Sequence, residues 1–527
     1  MTVKNQDQKI ITCLTWDQLA DDAGLVVFFN QNNQNNQNNL KIPCQGVSID
    51  TRTIQPGEAF CCLVGKNLDG HDFAKEAVEK GAKVLITGKK LPLPVMQIIS
   101  ENMTTVEALG RLAKAYRAYF NIPIIGLTGS CGKTTTKEMI GAVLKQKLKS
   151  THKNLENILI TTGNFNNQLG LPITLFKLRP HHEVAVIEMG VSRQGEMDYL
   201  ASIAQPTIGL ITNIRHQHVE GLGGLEGISY EKSRLFKTVD WLIFNADEPW
   251  SEDWEREFKD KKDKKDKKII FFSPSGNGKF KKSGQKINLD IYSNKNLEIK
   301  LETSGSPESP ESPESPESLS LKNGFEIVTP DFTANIEMGL LGEANCENAV
   351  AAVAACFPLG VTQSEVELGL RSMEAVPGRL KLYELDRHIF MIDDTYNASP
   401  SAVESALVWL GKINKKFKKI FVMSNMGELG ERAVFFHQLM GEWIIREQID
   451  LCLLYGDKKL LQPTLAVLNQ LGGPNRGIFF EDKLTLIKKL KEILVPNSVL
   501  LVKGSRGNKM ETIVHEILNS SDIGALS

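Results

Sequence analysis

Strand-sized apolar runs alternate with stretches of helical spacing along most of this chain. In the middle, such runs at residues 183–189, 207–212 and 241–245 are separated by helical patterns. That alternation predicts a parallel sheet with crossover helices. The pattern repeats further on: strand 389–392, helix 401–410, strand 420–423, helix 434–446, then strands 451–455 and 498–502. A second doubly wound sheet is expected there, with ligands at the C-terminal strand ends. Before residue 115, Val-Ser-Ile-Asp-Thr-Arg at 47–52, Pro56-Gly57, Gly65 and Asp69-Gly-His-Asp-Phe73 lead into a helix-like stretch at 74–80 and a strand at 83–87. These read as a small α/β unit. At 527 residues the chain is too long for one core. The expectation is an α/β protein of three domains, at residues 1–115, 116–377 and 378–527.

Composition narrows the field. Lys+Arg 62 against Asp+Glu 63 gives a net charge of −1, so no global basic field points to nucleic acid or an anionic membrane. No apolar run reaches the roughly 18 residues of a membrane span. The polar N-terminal stretch lacks a signal-peptide core. Eight scattered cysteines without a C-x-x-C pair read as reduced thiols of a cytoplasmic protein. An Asn/Gln tract at 30–39, a Lys/Asp run at 259–268 and a Ser-Pro-Glu repeat at 306–318 read as solvated loop insertions, because none can bury apolar surface.

The candidate chemistry begins at Gly-Leu-Thr-Gly-Ser-Cys-Gly-Lys-Thr-Thr-Thr, 126–136. A β-branched run leads into Gly129 and Gly132, then Lys133, Thr134 and Thr135 open a helical pattern. Glycines let backbone N–H groups approach phosphate oxygens, the lysine neutralises them, and the threonine hydroxyl is a Mg²⁺ ligand. A strict P-loop needs glycine where Leu127 stands, so a glycine-rich turn without a ligand stays open as the bland alternative. Glu188 ends a buried-type strand and is placed to reach a Mg²⁺ on the nucleotide phosphates, or else caps a helix or forms an ion pair. His218 lies in Asn-Ile-Arg-His-Gln-His-Val-Glu, 213–220, with His216 competing for any role. Lys232 sits on a helical pattern, where a surface lysine is the default. Asp393-Asp394-Thr-Tyr396-Asn397, Asn425-Met-Gly-Glu428 and Lys503-Gly-Ser505-Arg506 fall at three strand ends of the last segment. Three polar clusters at such ends argue for a site.

These residues carry a resemblance. The loop at 126–136 resembles the phosphate loop of the Mur ligases, whose own variant has this shortened glycine spacing. Thr162-Gly-Asn164-Phe-Asn166-Asn167 resembles the family's Asn-rich substrate loop, and Asn245-Ala-Asp247 its nucleotide-side segment. Gly342-Glu-Ala-Asn345-Cys-Glu-Asn348 resembles the Gly-x-His-Asn-x-x-Asn motif, with Ala344 in place of the histidine. The strand-end clusters, His437, and the N-terminal Ser48-Ile-Asp50-Thr-Arg52 and Asp69-Gly-His71 resemble the members that use a UDP-linked tripeptide; Asn425 replaces a usual aspartate.

The resemblance implies a central P-loop ATPase domain, a C-terminal Rossmann-like domain and an N-terminal domain that grips UDP. It implies ATP-dependent joining of D-alanyl-D-alanine to UDP-N-acetylmuramoyl-tripeptide by a cytoplasmic monomer. It also implies two Mg²⁺ ions, one on Thr134 and one on Glu188, His218 and a Lys232 carbamylated by CO₂. Gly129, Gly132, Lys133, Thr134, Thr135, Asn245, Asp247, Asn345, Asn348 and Arg379 are the implied nucleotide contacts. Ser48, Asp50, Arg52, Thr162, Asn164, Asn166, Asn167, Asp394, Tyr396, Asn397, Lys503, Ser505 and Arg506 are the implied substrate contacts. The competing readings are another amide ligase of the superfamily and a P-loop regulatory ATPase.

Overall fold

The computed structural model describes residues 14–29, 41–259, 267–275, 288–302, 320–386, 388–473 and 475–520. The Asn/Gln tract, the Ser-Pro-Glu repeat, residues 260–266 of the Lys/Asp run and Cys13 lie outside the described residues.

Three sheets carry the fold. The first has strands β1 (Val26–Phe28), β2 (Val47–Ser48), β3 (Ala59–Cys61), β4 (Val84–Thr87) and β5 (Met96–Ile99) in the order β1-β5-β4-β3-β2, parallel except for β1. Helix Thr105–Ala118 follows. Thr104 accepts from the Glu107 amide, and the Glu107 carboxylate returns to the Thr104 amide, satisfying donors the helix leaves orphaned. This helix runs past residue 115 and fills the space between two domains. Its Leu109 and Leu112 share one apolar core with Val84 and Ile98 on one side and Leu171 and Leu200 on the other. Truncating either leucine to alanine costs about 2–5 kcal/mol.

The second sheet has β6 (Ile124–Thr128), β7 (Ile158–Ile160), β8 (Val184–Glu188), β9 (Ile208–Ile211), β10 (Trp241–Asn245), β11 (Lys268–Ser273), β12 (Asn288–Glu302), β13 (Ser320–Val328) and β14 (Thr333–Met338), in the order β14-β13-β12-β11-β10-β9-β6-β8-β7. It is parallel from β7 through β12, as the alternation predicts, but β12, β13 and β14 pair antiparallel. The predicted parallel sheet is thus present, with an antiparallel extension at one edge. Residues 329–332 join β13 to β14 in a turn closed by Thr329 and Phe332, too short for a parallel crossover. Alternating burial along β14 marks a sheet with one solvated face.

The third sheet has β15 (Lys381–Asp386), β16 (Ile389–Asp394), β17 (Lys418–Ser424), β18 (Leu451–Tyr455), β19 (Gly477–Phe480) and β20 (Ser498–Lys503), in the order β15-β16-β20-β17-β18-β19. Only β15 runs antiparallel. Its apolar faces form cores largely separate from those of the other sheets. No helix among the described residues is long and apolar enough to cross a membrane.

Candidate active site between the central and C-terminal domains

The five buried residues of β6 deliver the chain into a turn that starts helix Lys133–Ser150. Gly132 caps that helix at φ 82°, a left-handed conformation, and a Cβ there would lie 2.0 Å from Asn348 Oδ1. A Cβ on Gly129 would lie 1.9 Å from Thr212 Oγ1. The loop is stitched to the segment that leaves β9. Ser130 N–H donates to Asn213 O at 2.9 Å, and Cys131 N–H to Asn213 Oδ1 at 2.9 Å. Thr212 Oγ1 donates to Cys131 O at 2.8 Å. These bonds fix the loop with its helix N-terminus open to an anion.

Lys133 Nζ donates to Gly129 O at 2.7 Å and Ser130 O at 3.2 Å. Burial lowers its pKa. Thr134 Oγ1 accepts from Arg379 Nη2 at 3.0 Å, and the Arg379 guanidinium lies 4.1 Å from the centre of the Tyr396 ring. Thr135, Asn345 and Asn348 also line the cavity beside the loop.

Glu188, at the end of β8, is 1% exposed. Its Oε1 accepts from Asn166 Nδ2 at 2.7 Å, while Oε2 has no hydrogen bond and lies 4.0 Å from the Nζ of the buried Lys137. It caps no helix. His218 adopts φ 51°, and its Nδ1 pairs with Glu428 Oε2 at 2.6 Å across the domain boundary. Lys232 is not at the surface: helix Gly224–Ser233 carries it beneath the phosphate loop, 1% exposed, where Nζ donates to Gly129 O at 3.0 Å. Burial, and then the neighbouring Lys133 charge, drive its pKa well below the ordinary lysine value. The surface default for this lysine is thus corrected; its neighbours in sequence do not report that the loop folds over it. No group of three or more His, Cys, Asp or Glu able to hold a metal occurs among the described residues.

The C-terminal strand ends face the same cavity of about 890 Å³. Asp394 and Lys503 sit opposite each other in the β16–β20 register, and Lys503 Nζ pairs with the Asp394 carboxylate and donates to Asn397 O at 3.1 Å. Burial raises the Asp394 carboxyl, with the Lys503 charge opposing. Asn164, Asn166, Asn167, Tyr396 and Asn397 line the cavity as well. Asn167 Oδ1 additionally accepts from the Leu169 and Gly170 amides at the start of helix Gly170–Leu175.

Other expected residues stand apart from the lining. Asn245 Oδ1 accepts from the Asp247 amide, and the Asp247 carboxylate accepts from Ser273 Oγ and Ser275, so both close a turn after β10. Ser48, Asp50 and Arg52 form a turn of their own on the first domain. The Arg52 guanidinium there holds the Asp50 carboxyl down to about 2. Thr162 is exposed, Ser505 accepts from Asn508 Nδ2, and Arg506 lies beside Tyr396 and Glu511. His437 Nε2 accepts from the Met426 amide at 3.0 Å, which fixes the turn after β17. Sequence reasoning missed Arg215, Glu248 and Lys137. The one available signal was the position of Arg215, four residues after the end of β9, in the segment that braces the phosphate loop.

Comparison with known proteins agrees with this arrangement. Family models match in three successive blocks: Mur ligase family, catalytic domain (residues 43–117); Mur ligase middle domain (127–309); and Mur ligase, glutamate ligase domain (378–506). The UDP-N-acetylmuramoyl-tripeptide–D-alanyl-D-alanine ligase of Buchnera aphidicola is 33% identical over 90% of this chain and 93% of its own. The Escherichia coli enzyme of that name is 31% identical over 90% and 94%. Among solved structures, MurF from Acinetobacter baumannii superposes with a TM-score of 0.78 at 27% identity, covering 97% of this chain and 100% of that one. MurF from Thermotoga maritima in complex with ADP gives 0.72 at 25%, covering 90% and 97%. With its three blocks in order and its loop, strand ends and cavity in place, this chain belongs to the Mur ligase family.

Proposed function

We propose that this chain is an ATP-dependent ligase that joins D-alanyl-D-alanine to UDP-N-acetylmuramoyl-tripeptide, a step in making peptidoglycan precursors. The observation that carries this reading is one cavity lined from both sides, by Lys133 and Thr134 of the phosphate loop and by Asp394 and Lys503 of the C-terminal sheet. The terminal carboxylate of the tripeptide attacks the γ-phosphorus of ATP, forming an acyl phosphate and releasing ADP. The amine of the dipeptide then attacks the acyl carbon, the amide forms, and phosphate leaves with the amine proton passing to solvent. Two anions must meet in the first step. Lys133 and Arg379 lower that repulsion, and the helix N-terminus holds the phosphates in line.

The side chains suit the metal ions the reading requires. Glu188 offers a buried carboxylate oxygen that accepts no hydrogen bond and lies 4.0 Å from Lys137 Nζ, a hard donor suited to Mg²⁺. Glu428 on Nδ1 leaves Nε2 of His218 as its ligating nitrogen. Thr134 would hold one Mg²⁺, and Glu188, His218 and Lys232 the other; bound there, the ions supply charge neutralisation to phosphoryl oxygens. The depressed pKa of Lys232 favours the neutral amine, which adds to CO₂ to give an anionic carbamate and one proton. The reading places the chain in the cytoplasm as a monomer; the described cysteines are free thiols, which suits a reducing compartment.

Phosphate release measured with and without each substrate tests the function. Release that requires both the UDP-tripeptide and the dipeptide is expected; equal turnover without them points to a regulatory ATPase. Lys133→Ala should lower turnover by about a thousandfold or more with the thermal midpoint unchanged.

A further inference from the structure

The segment that braces the phosphate loop carries a guanidinium with no part in the scheme so far. Arg215 is locked to Ser130 by its own backbone: its N–H donates to Ser130 Oγ at 2.9 Å, and that hydroxyl donates back to Arg215 O at 2.9 Å. Its side chain is held from behind. Nη1 donates to Ile214 O at 2.8 Å and pairs directly with Glu248 Oε1. The Glu248 side chain is 2% exposed and that of Arg215 is 40% exposed. Burial raises the Glu248 carboxyl, with Arg215 opposing, and its Oε2 has no hydrogen bond.

A carboxylate this deep is a poor surface ion pair. Desolvating it costs several kcal/mol, offset only if a fixed cation faces it. The pair therefore aims the guanidinium. Nε and Nη2 of Arg215 make no hydrogen bond to the described residues, and the side chain lines the cavity with Lys133, Asn213 and His218. A planar fork with free donors, anchored on its far side and fixed to the phosphate loop by its backbone, matches a phosphoryl group. The Asn245–Asp247 turn acquires a role through its next residue. It does not reach the cavity, but it delivers Glu248 to Arg215.

We propose that Arg215 binds a phosphoryl oxygen of the nucleotide, and that Glu248 is the positioning residue that aims it. The inference rests on the ligase reading only for the reaction in which the phosphoryl group is transferred; binding of the nucleotide is measured independently of it.

The experiment uses the full-length chain as wild type, R215Q, R215K, E248Q and R215Q/E248Q. Affinity for ATP and ADP is read by displacement of a fluorescent ADP analogue, and kcat and KM are read for each substrate. R215Q is expected to weaken ATP binding and to lower kcat/KM for ATP by about 10- to 100-fold, the scale of one charge-assisted hydrogen bond. R215K, which keeps the charge but not the fork, should fall between wild type and R215Q. E248Q should lower kcat/KM for ATP less than R215Q does, and add nothing in the R215Q background. If R215Q does not fold, R215K and E248Q carry the test. ATP affinity and kcat/KM for ATP unchanged in both readable variants, a loss confined to KM for the UDP-substrate, or an E248Q effect equally large in both backgrounds overturns the proposal. Failure of the ligase reading shows up separately, as wild-type phosphate release that ignores the two acceptor substrates while ATP binding remains measurable.

Discussion

Two buried lysines flank the cavity, one in its lining and one beneath the phosphate loop, and their surroundings differ in one respect. Lys503, at the end of β20, is 2% exposed and pairs with Asp394. Lys232, beneath the phosphate loop, is 1% exposed; its hydrogen-bond partner is the Gly129 carbonyl, and the largest charge effect on it comes from another lysine, Lys133. The adjacent Glu231 is turned away, accepting the amides of Gly195 and Met197 at the start of helix Glu196–Ala204. A buried ammonium is tolerable when a carboxylate answers it, as at Lys503. Without one the amine is pushed toward its neutral form, as at Lys232. The C-terminal wall uses its lysine to hold two strand ends in register. On the central side, burial without a carboxylate hydrogen-bonded to it biases Lys232 toward the neutral amine.

Substitution separates the two roles. Lys503→Met should destabilise the C-terminal domain by about 3–5 kcal/mol, because it strands the buried Asp394 carboxylate. Chemical denaturation measures this, and a loss below about 1 kcal/mol would mean the pair contributes only placement. Lys232→Met should change stability by no more than about 1 kcal/mol, since no partner is left unpaired. It should nevertheless lose ligase activity, and Lys232→Ala should recover part of it with added short carboxylates. Normal activity in Lys232→Met would remove the distinction between the walls.

A smaller effect sharpens the same contrast through pH. His437 is fully buried, and burial lowers its pKa. In the folded chain it stays neutral where an unfolded histidine, near 6.5, takes a proton. Below pH 6.5 the unfolded state therefore binds more protons, and stability falls as pH is lowered. Denaturation midpoints of the C-terminal domain at pH 7 and pH 5 should show that decline, and His437→Asn should flatten it.

Much of this was legible in the sequence because strands and tight turns leave local marks. The starts and ends of β8, β9, β10, β16 and β18 fall within two residues of the apolar runs that predict them. Gly129 and Gly132 announce the phosphate loop because only glycine allows their close approaches. The burial of Lys232 is a tertiary fact. On helix Gly224–Ser233 it looks like any surface lysine, and only the loop folding over that helix hides it. The antiparallel β12–β14 extension was missed because the alternation of strands and helices used to infer a parallel sheet does not cover a hairpin. The inward turn of Asn245 and Asp247 depends on Ser273 and Ser275, some 28 residues away, which no local pattern reports.

The distinction between the two lysines is tested most directly by carbon-13 NMR of the chain equilibrated with ¹³C-labelled bicarbonate. The prediction is a carbamate resonance in wild type that is lost in Lys232→Met and kept in Lys503→Met. A resonance that survives Lys232→Met, or none in wild type at full activity, would contradict the account.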